Sequence, residues 1–96
     1  MQKRTMMVTD RKRNGQIFGE IIREIREGKK TLHKKWTINY VAEQAKVQSN
    51  YLGKLERGEK GESYMTTIGR IAMVLEVSLD EIWKRYEEKI EKHKSL

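Results

Sequence analysis

Cysteine and proline are absent from this 96-residue chain, and aromatic residues make up only 7% of it. The absence of cysteine excludes a disulfide framework and a thiolate metal site, so the sequence predicts a reducing, cytoplasmic compartment. No apolar run approaches the roughly 18 residues of a membrane-spanning helix, and no signal-peptide pattern is present. We therefore expect one domain with a single modest core and no membrane partner.

Sequence motifs of enzymes are missing as well. The chain has no glycine-rich phosphate loop, no pair of histidines flanking a glutamate at helical spacing, and no nucleophile beside a base. Its two histidines, His33 and His93, stand alone and cannot complete a metal site. The sequence thus predicts a non-enzymatic protein with no catalytic residue, cofactor, metal or small-molecule ligand.

Positive charge is abundant and unevenly placed. The net charge is +7, and residues 1–60 hold 15 Lys and Arg against 7 Asp and Glu, whereas residues 61–96 hold 6 against 7. A basic first part beside a near-neutral second part is typical of a DNA-facing surface backed by an assembly surface. The alternative is a charge that serves only solubility.

The most informative stretch runs from Thr37 to Gly58 and predicts two short helices joined by a tight turn. Thr37 is a favourable N-cap residue, and Gly58 supplies the positive φ that ends a helix. Apolar residues recur at helical spacing between them. These residues are Val41, Ala42 and Ala45 in the first helix and Leu52 and Leu55 in the second.

This stretch resembles the helix-turn-helix of the Cro/C1-type (XRE) family of phage-repressor-like regulators. The matching positions are Thr37, Val41, Ala42, Ala45, Val47, Leu52, Leu55, Glu56 and Gly58. Lys46, Gln48 and Gly53 depart from the pattern, and Lys46 stands where the family has a turn glycine. The resemblance implies an all-α, five-helix, lambda-repressor-like domain that binds double-stranded DNA as a homodimer and represses transcription.

DNA contacts are expected along these two helices. The resemblance implies base contacts by Gln48, Ser49, Asn50, Gly53 and Lys54. Because helix N-termini and nearby cations suit phosphates, contacts with the DNA phosphate backbone are expected at Thr37, Asn39, Tyr51, Arg57 and Lys60. An asparagine such as Asn50 can bond bidentately to adenine, and Lys54 can donate to guanine. The alternatives are that Asn50 and Lys54 contact phosphates while DNA shape is read, and that Gln48 only caps the helix.

The remaining helices and boundaries follow from periodicity. We expect a flexible basic arm over residues 1–15, a first helix over 16–28, a basic insertion at 29–35, and further helices over 64–76 and 79–92. The insertion either contacts phosphates or is simply exposed.

In the family, an arginine of the first helix pairs with the glutamate of the recognition helix, which implies an ion pair between Arg26 and Glu56 here. The alternative is an Arg26 that lies on the surface.

The last helix carries an apolar stripe beyond the expected end of the domain. Residues 16–84 are predicted to form the DNA-binding domain and residues 85–96 an extension that pairs two copies. Trp83, Tyr86 and Ile90 are the expected contacts, since no further core is expected to cover the last two. The alternative is a frayed amphipathic tail.

Two other functions also fit the sequence: a restriction-modification controller and an antitoxin-like protein-interaction module.

Overall fold

The computed structural model describes residues 8–59 and 65–95, and within these ranges it contains five α-helices and no β-strand. The helices are α1 (Val8–Lys30), α2 (Ile38–Ala45), α3 (Ser49–Glu56), α4 (Met65–Leu75) and α5 (Leu79–Ser95). The all-α, five-helix prediction is confirmed. Predictions for residues 1–7 and for Lys60 lie outside the described residues. No helix in the described ranges is long and apolar enough to cross a bilayer.

The helix pair α2 and α3 has the expected cap and an unusual turn. The Thr37 hydroxyl oxygen accepts a hydrogen bond from the Tyr40 backbone N–H at 3.1 Å. Lys46 takes the left-handed conformation (φ 62°, ψ 41°), and the Val47 N–H bonds to the Ala42 carbonyl at 3.0 Å. A left-handed non-glycine residue costs roughly 1–2 kcal/mol, so the missing turn glycine is tolerated and the turn geometry is kept.

The core lies where all five helices meet. Side chains from each helix are at most 2% exposed, and they are Ile21, Ile22, Val41, Leu52, Leu55, Ile71, Leu75 and Ile82. The helix α2 packs on α3 and α4, and α1 packs on α3, α4 and α5. Helices of eight residues, such as α2 and α3, are not stable alone in water. Their helicity therefore depends on this packing.

The first helix begins earlier than the sequence predicted. It starts at Val8, so the prediction of a flexible arm over residues 1–15 is wrong for residues 8–15. Residues 9–16 contain no apolar stripe, and periodicity therefore gave no helix signal there. The segment nevertheless lacks proline and contains Arg and Lys, which are good helix formers.

The covering of α5 also differs from the prediction. The Tyr86 ring stacks on Phe18 of α1 with centroids 4.7 Å apart, and Ile90 is a partly buried side chain packed against the core. Lys89 Nζ bonds Glu24 of α1 at 2.9 Å. The expectation that nothing covers Tyr86 and Ile90 is therefore wrong, because α1 covers them. Trp83 remains 52% exposed.

The close approach of α1 and α3 depends on a glycine. A Cβ placed on Gly19 would lie 1.9 Å from the Leu55 carbonyl oxygen, whereas a Cβ on Gly28, in the same helix, meets nothing within 4 Å. We predict that Gly19→Ala destabilises the protein by about 2 kcal/mol or more, because backbone must move to relieve the overlap. Gly28→Ala should instead stabilise it by about 0.4–1 kcal/mol. Urea unfolding monitored by circular dichroism measures both, and equal stabilisation by the two changes would contradict the assigned contact.

Candidate nucleic-acid interface

The start of α3 presents polar side chains to solvent. Gln48, Ser49 and Asn50 are exposed, and Lys54 is half-buried one helical turn after Asn50. Gln48 occupies the N-cap position with extended backbone, and its side chain makes no capping hydrogen bond. The alternative that Gln48 only caps the helix is therefore not realised. The carboxamides of Gln48 and Asn50 are both exposed at the start of α3, and their hydrogen-bond donors and acceptors suit base edges.

A buried ion pair connects this helix to α1. Arg26 Nε donates to Glu56 Oε2 at 2.8 Å and Nη2 donates to Oε1 at 2.9 Å, with side chains only 5% and 3% exposed. The pair predicted between Arg26 and Glu56 is thus present and bidentate, a geometry in which guanidinium and carboxylate match. Hydrogen bonding to Glu56 raises the pKa of Arg26 above its ordinary value, against the opposing effect of burial.

The same guanidinium fixes a third part of the chain. Arg26 Nη1 donates to the backbone carbonyl of Trp36 at 3.1 Å. Trp36 is 7% exposed and immediately precedes the Thr37 cap of α2. One side chain of α1 therefore joins the end of α3 to the beginning of α2, which sets the relative positions of the two helices that would face DNA.

The end of α3 is held by a further bond. Gln16 Nε2 donates to the Gly58 carbonyl at 3.2 Å, and Gly58 has the positive φ (77°) that its place after the helix requires. The predicted helix stop at Gly58 is confirmed by this conformation. The C-terminal end of α3 is thus tied to α1 by Gln16 as well as by Arg26, while the polar start of the helix stays open.

The residues expected to contact phosphates differ in their exposure and in the partners that they already bind. Asn39 is exposed in the first turn of α2, and Thr37 still has a hydroxyl hydrogen to donate. Arg57 already binds Glu59, with Nε 2.9 Å from Oε2, and the Arg57 guanidinium lowers the pKa of that carboxyl. Tyr51 is half-buried. A phosphate contact by Arg57 therefore requires exchange of the Glu59 carboxylate for the phosphate.

The glycine of α3 is less accessible than expected. Gly53 is buried, and a Cβ added to it would lie 3.2 Å from Arg57 Nη1. A base can approach the Gly53 backbone only if the Arg57 side chain moves. Its base contact stays a prediction, as do those of the other α3 residues.

Two participants were not predicted from the sequence. The Trp36 carbonyl has no side-chain signal, because any residue type supplies a backbone oxygen. Glu59 is two residues after Arg57, and opposite charges so close in sequence were a usable signal for a local pair. Among the described residues, no group of three or more His, Cys, Asp or Glu side chains is arranged to hold a metal ion.

Comparison with protein families agrees with this arrangement. A family model described as helix-turn-helix matches residues 22–82, which is more than half of the chain. The match spans the ion pair, both short helices and the first turn of α5. Comparison with curated proteins and with solved structures gave no match.

The buried pair should contribute strongly to folding. We predict that Arg26→Met or Glu56→Gln alone costs about 3–5 kcal/mol in the free energy of unfolding, since either change leaves buried polar groups unpaired. The double mutant should lose much less than the sum. The matched control is the Arg85–Glu81 pair of α5, with side chains 39% and 41% exposed, whose coupling should stay near 0.3–0.5 kcal/mol. Strictly additive effects at Arg26 and Glu56 would refute the coupling.

Proposed function

Since the chain belongs to the Cro/C1-type (XRE) helix-turn-helix family, a family of DNA-binding proteins that are typically not enzymes, we propose that it is a transcriptional repressor that acts as a homodimer on a palindromic operator in the cytoplasm. The observation that carries this proposal is the exposed polar start of α3 on a helix fixed by Arg26. A rigid scaffold beneath an open polar face is what positioned base contacts require.

Base reading falls to the first turns of α3. Asn50 can accept from N6 and donate to N7 of one adenine, and Lys54 can donate to O6 and N7 of a guanine. Ser49 bonds to several bases and specifies none, whereas Gln48 adds a flexible carboxamide at the helix start. Asn50 and Lys54, four residues apart, share the side of α3 opposite to Leu52 and Leu55, which are fully buried.

Phosphate contacts would set the docking register. The α2 N-terminus offers the Thr37 hydroxyl, the Asn39 carboxamide and unpaired backbone N–H groups, all suited to an anion. Arg57 would contribute after it leaves Glu59. Such contacts orient the protein on the duplex but carry no direct sequence information.

Dimerisation is proposed through an apolar patch formed by Met65, Leu79 and Trp83. These side chains are 71%, 39% and 52% exposed, and with Phe18 and Ile82 they line a groove of about 410 Å³. Of the three predicted contacts only Trp83 is on this surface, because Tyr86 and Ile90 pack toward α1. A second copy is the proposed occupant, since one recognition helix reads few base pairs and two-fold pairing adds a second half-site.

Sequence readout provides the test of the proposed function. Duplexes selected from a random pool should converge on a palindrome, and Asn50→Ala should cost about 1–3 kcal/mol on the best duplex and relax one symmetric pair of positions. The matched control is Asn39→Ala, which should weaken binding to all sequences alike. Failure to enrich any sequence, with tight binding to another protein instead, would favour the antitoxin-like alternative. Equal losses from Asn50→Ala on selected and random duplexes would refute base reading by Asn50.

The apolar patch proposed for dimerisation can be tested by placing a charge in it. We predict that Trp83→Glu yields a folded monomer with much weaker binding to the selected palindrome, because a charge would enter the apolar patch. Met73→Glu is the matched control: Met73 is 80% exposed and lies in a different groove, with Lys46 and Arg70. Sedimentation velocity at tens of micromolar should show a dimer for the wild type and for the control. A monomeric wild type, or a dimeric Trp83→Glu variant, would refute this interface.

A further inference from the structure

The last two residues of α1 and the chain that follows them form an ordered basic segment, which we call the basic loop and define as residues 29–35 (KKTLHKK). Its backbone is closed by successive hydrogen bonds, from Leu32 N and His33 N to Lys29 O and from Trp36 N to His33 O, at 3.0, 3.0 and 3.3 Å. Thr31 Oγ1 donates to the Gly28 carbonyl at 2.6 Å. These bonds give the loop a defined shape, so its charges have fixed places relative to the helices.

The basic loop is joined to the DNA-facing helices at its C-terminal end. Thr37, the cap of α2, donates its backbone N–H to the Lys35 carbonyl at 2.7 Å. The adjacent Trp36 carbonyl accepts from the guanidinium that also holds Glu56, the last residue of α3. The loop therefore lies beside both the phosphate-facing start of α2 and the end of the recognition helix.

Its cations are mostly available for an external anion. Lys30 and Lys34 are exposed and form no salt bridge within the described part of the chain. Lys35 Nζ lies over the rings of Trp36 and Tyr40, 5.2 and 5.6 Å from their centroids, and Lys29 Nζ lies 4.9 Å from the Trp36 ring. Aromatic faces hold a cation without neutralising it, since no carboxylate is consumed. Among residues 8–59 and 65–95, Lys29 is the one lysine of the loop with an anionic partner, Glu76 at 3.4 Å.

We propose that the basic loop is a second DNA-binding surface, which grips backbone phosphates next to the groove segment read by α3. The proposal rests on the DNA binding proposed above and extends it to a partner surface outside the helix-turn-helix. Positioned cations without carboxylate partners release phosphate counterions on contact and so strengthen binding to every sequence.

The salt dependence of DNA binding tests whether the basic loop contributes phosphate contacts beyond those of the helix-turn-helix. Lys30→Gln with Lys34→Gln should reduce the salt slope of binding by about 1.8 and weaken binding at low salt by about 10-fold or more, on the selected duplex and on a random one alike. The matched control, Lys84→Gln with Lys92→Gln, makes the same charge change on exposed positions of α5. Equal slopes for the two double mutants would overturn the loop contact. A wild type that binds neither duplex would instead overturn the proposed function.

Directed cleavage locates the loop on the duplex. Because the chain has no cysteine, Lys34→Cys creates a unique attachment point for an iron chelate that cleaves nearby DNA. We expect cleavage of the sugars that flank the selected bases with the probe at position 34. The same probe attached after Lys84→Cys on α5 should leave those sugars intact. Cleavage by the position-84 probe but not by the position-34 probe would refute the placement.

Discussion

A buried guanidinium must find partners for its charge, and that requirement at Arg26 determines how α1, α2 and α3 are arranged. An unpaired charge removed from water costs far more than any single packing contact contributes. Arg26 meets the requirement with both oxygens of Glu56 and with the Trp36 carbonyl. Because the three groups come from α1, α3 and the start of α2, alternative packings of these helices would leave at least one of them unsatisfied.

The position of α3 is fixed by this constraint and by packing, and not by the stability of the helix itself. An eight-residue helix has little stability of its own, and Gly53 lowers it further. The contacts that hold α3 lie behind it, where Gly19 lets the Leu55 carbonyl approach α1 and where Gln16 bonds Gly58. The contacts described here that hold α3 do not involve the side chains of Asn50 and Gln48, so these side chains can bind a ligand without loss of those contacts.

Local signals explain what the sequence predicted well and what it did not. The cap at Thr37, the stop at Gly58 and the periodicity of α2, α3 and α4 are all encoded within a few residues, so they were predictable. The early start of α1 has no apolar stripe, and the cover over Tyr86 comes from Phe18, far away in sequence. Periodicity measures one helix face at a time and cannot show which other helix will cover it. The role of the Trp36 carbonyl was unpredictable for a different reason, since every residue type supplies a backbone oxygen.

Charge partners decide how the basic residues would contribute to DNA binding. Arg57 is neutralised by Glu59 in the free protein, so contact with a phosphate exchanges one anion for another and gains little net charge interaction. Such an exposed pair is itself worth little, which keeps the exchange inexpensive and leaves Arg57 able to orient the complex. Lys30 and Lys34 carry no carboxylate partner within the described residues, and their counterion release would be complete. The basic loop would therefore add to the salt dependence of binding, while register and base choice would come from α2 and α3.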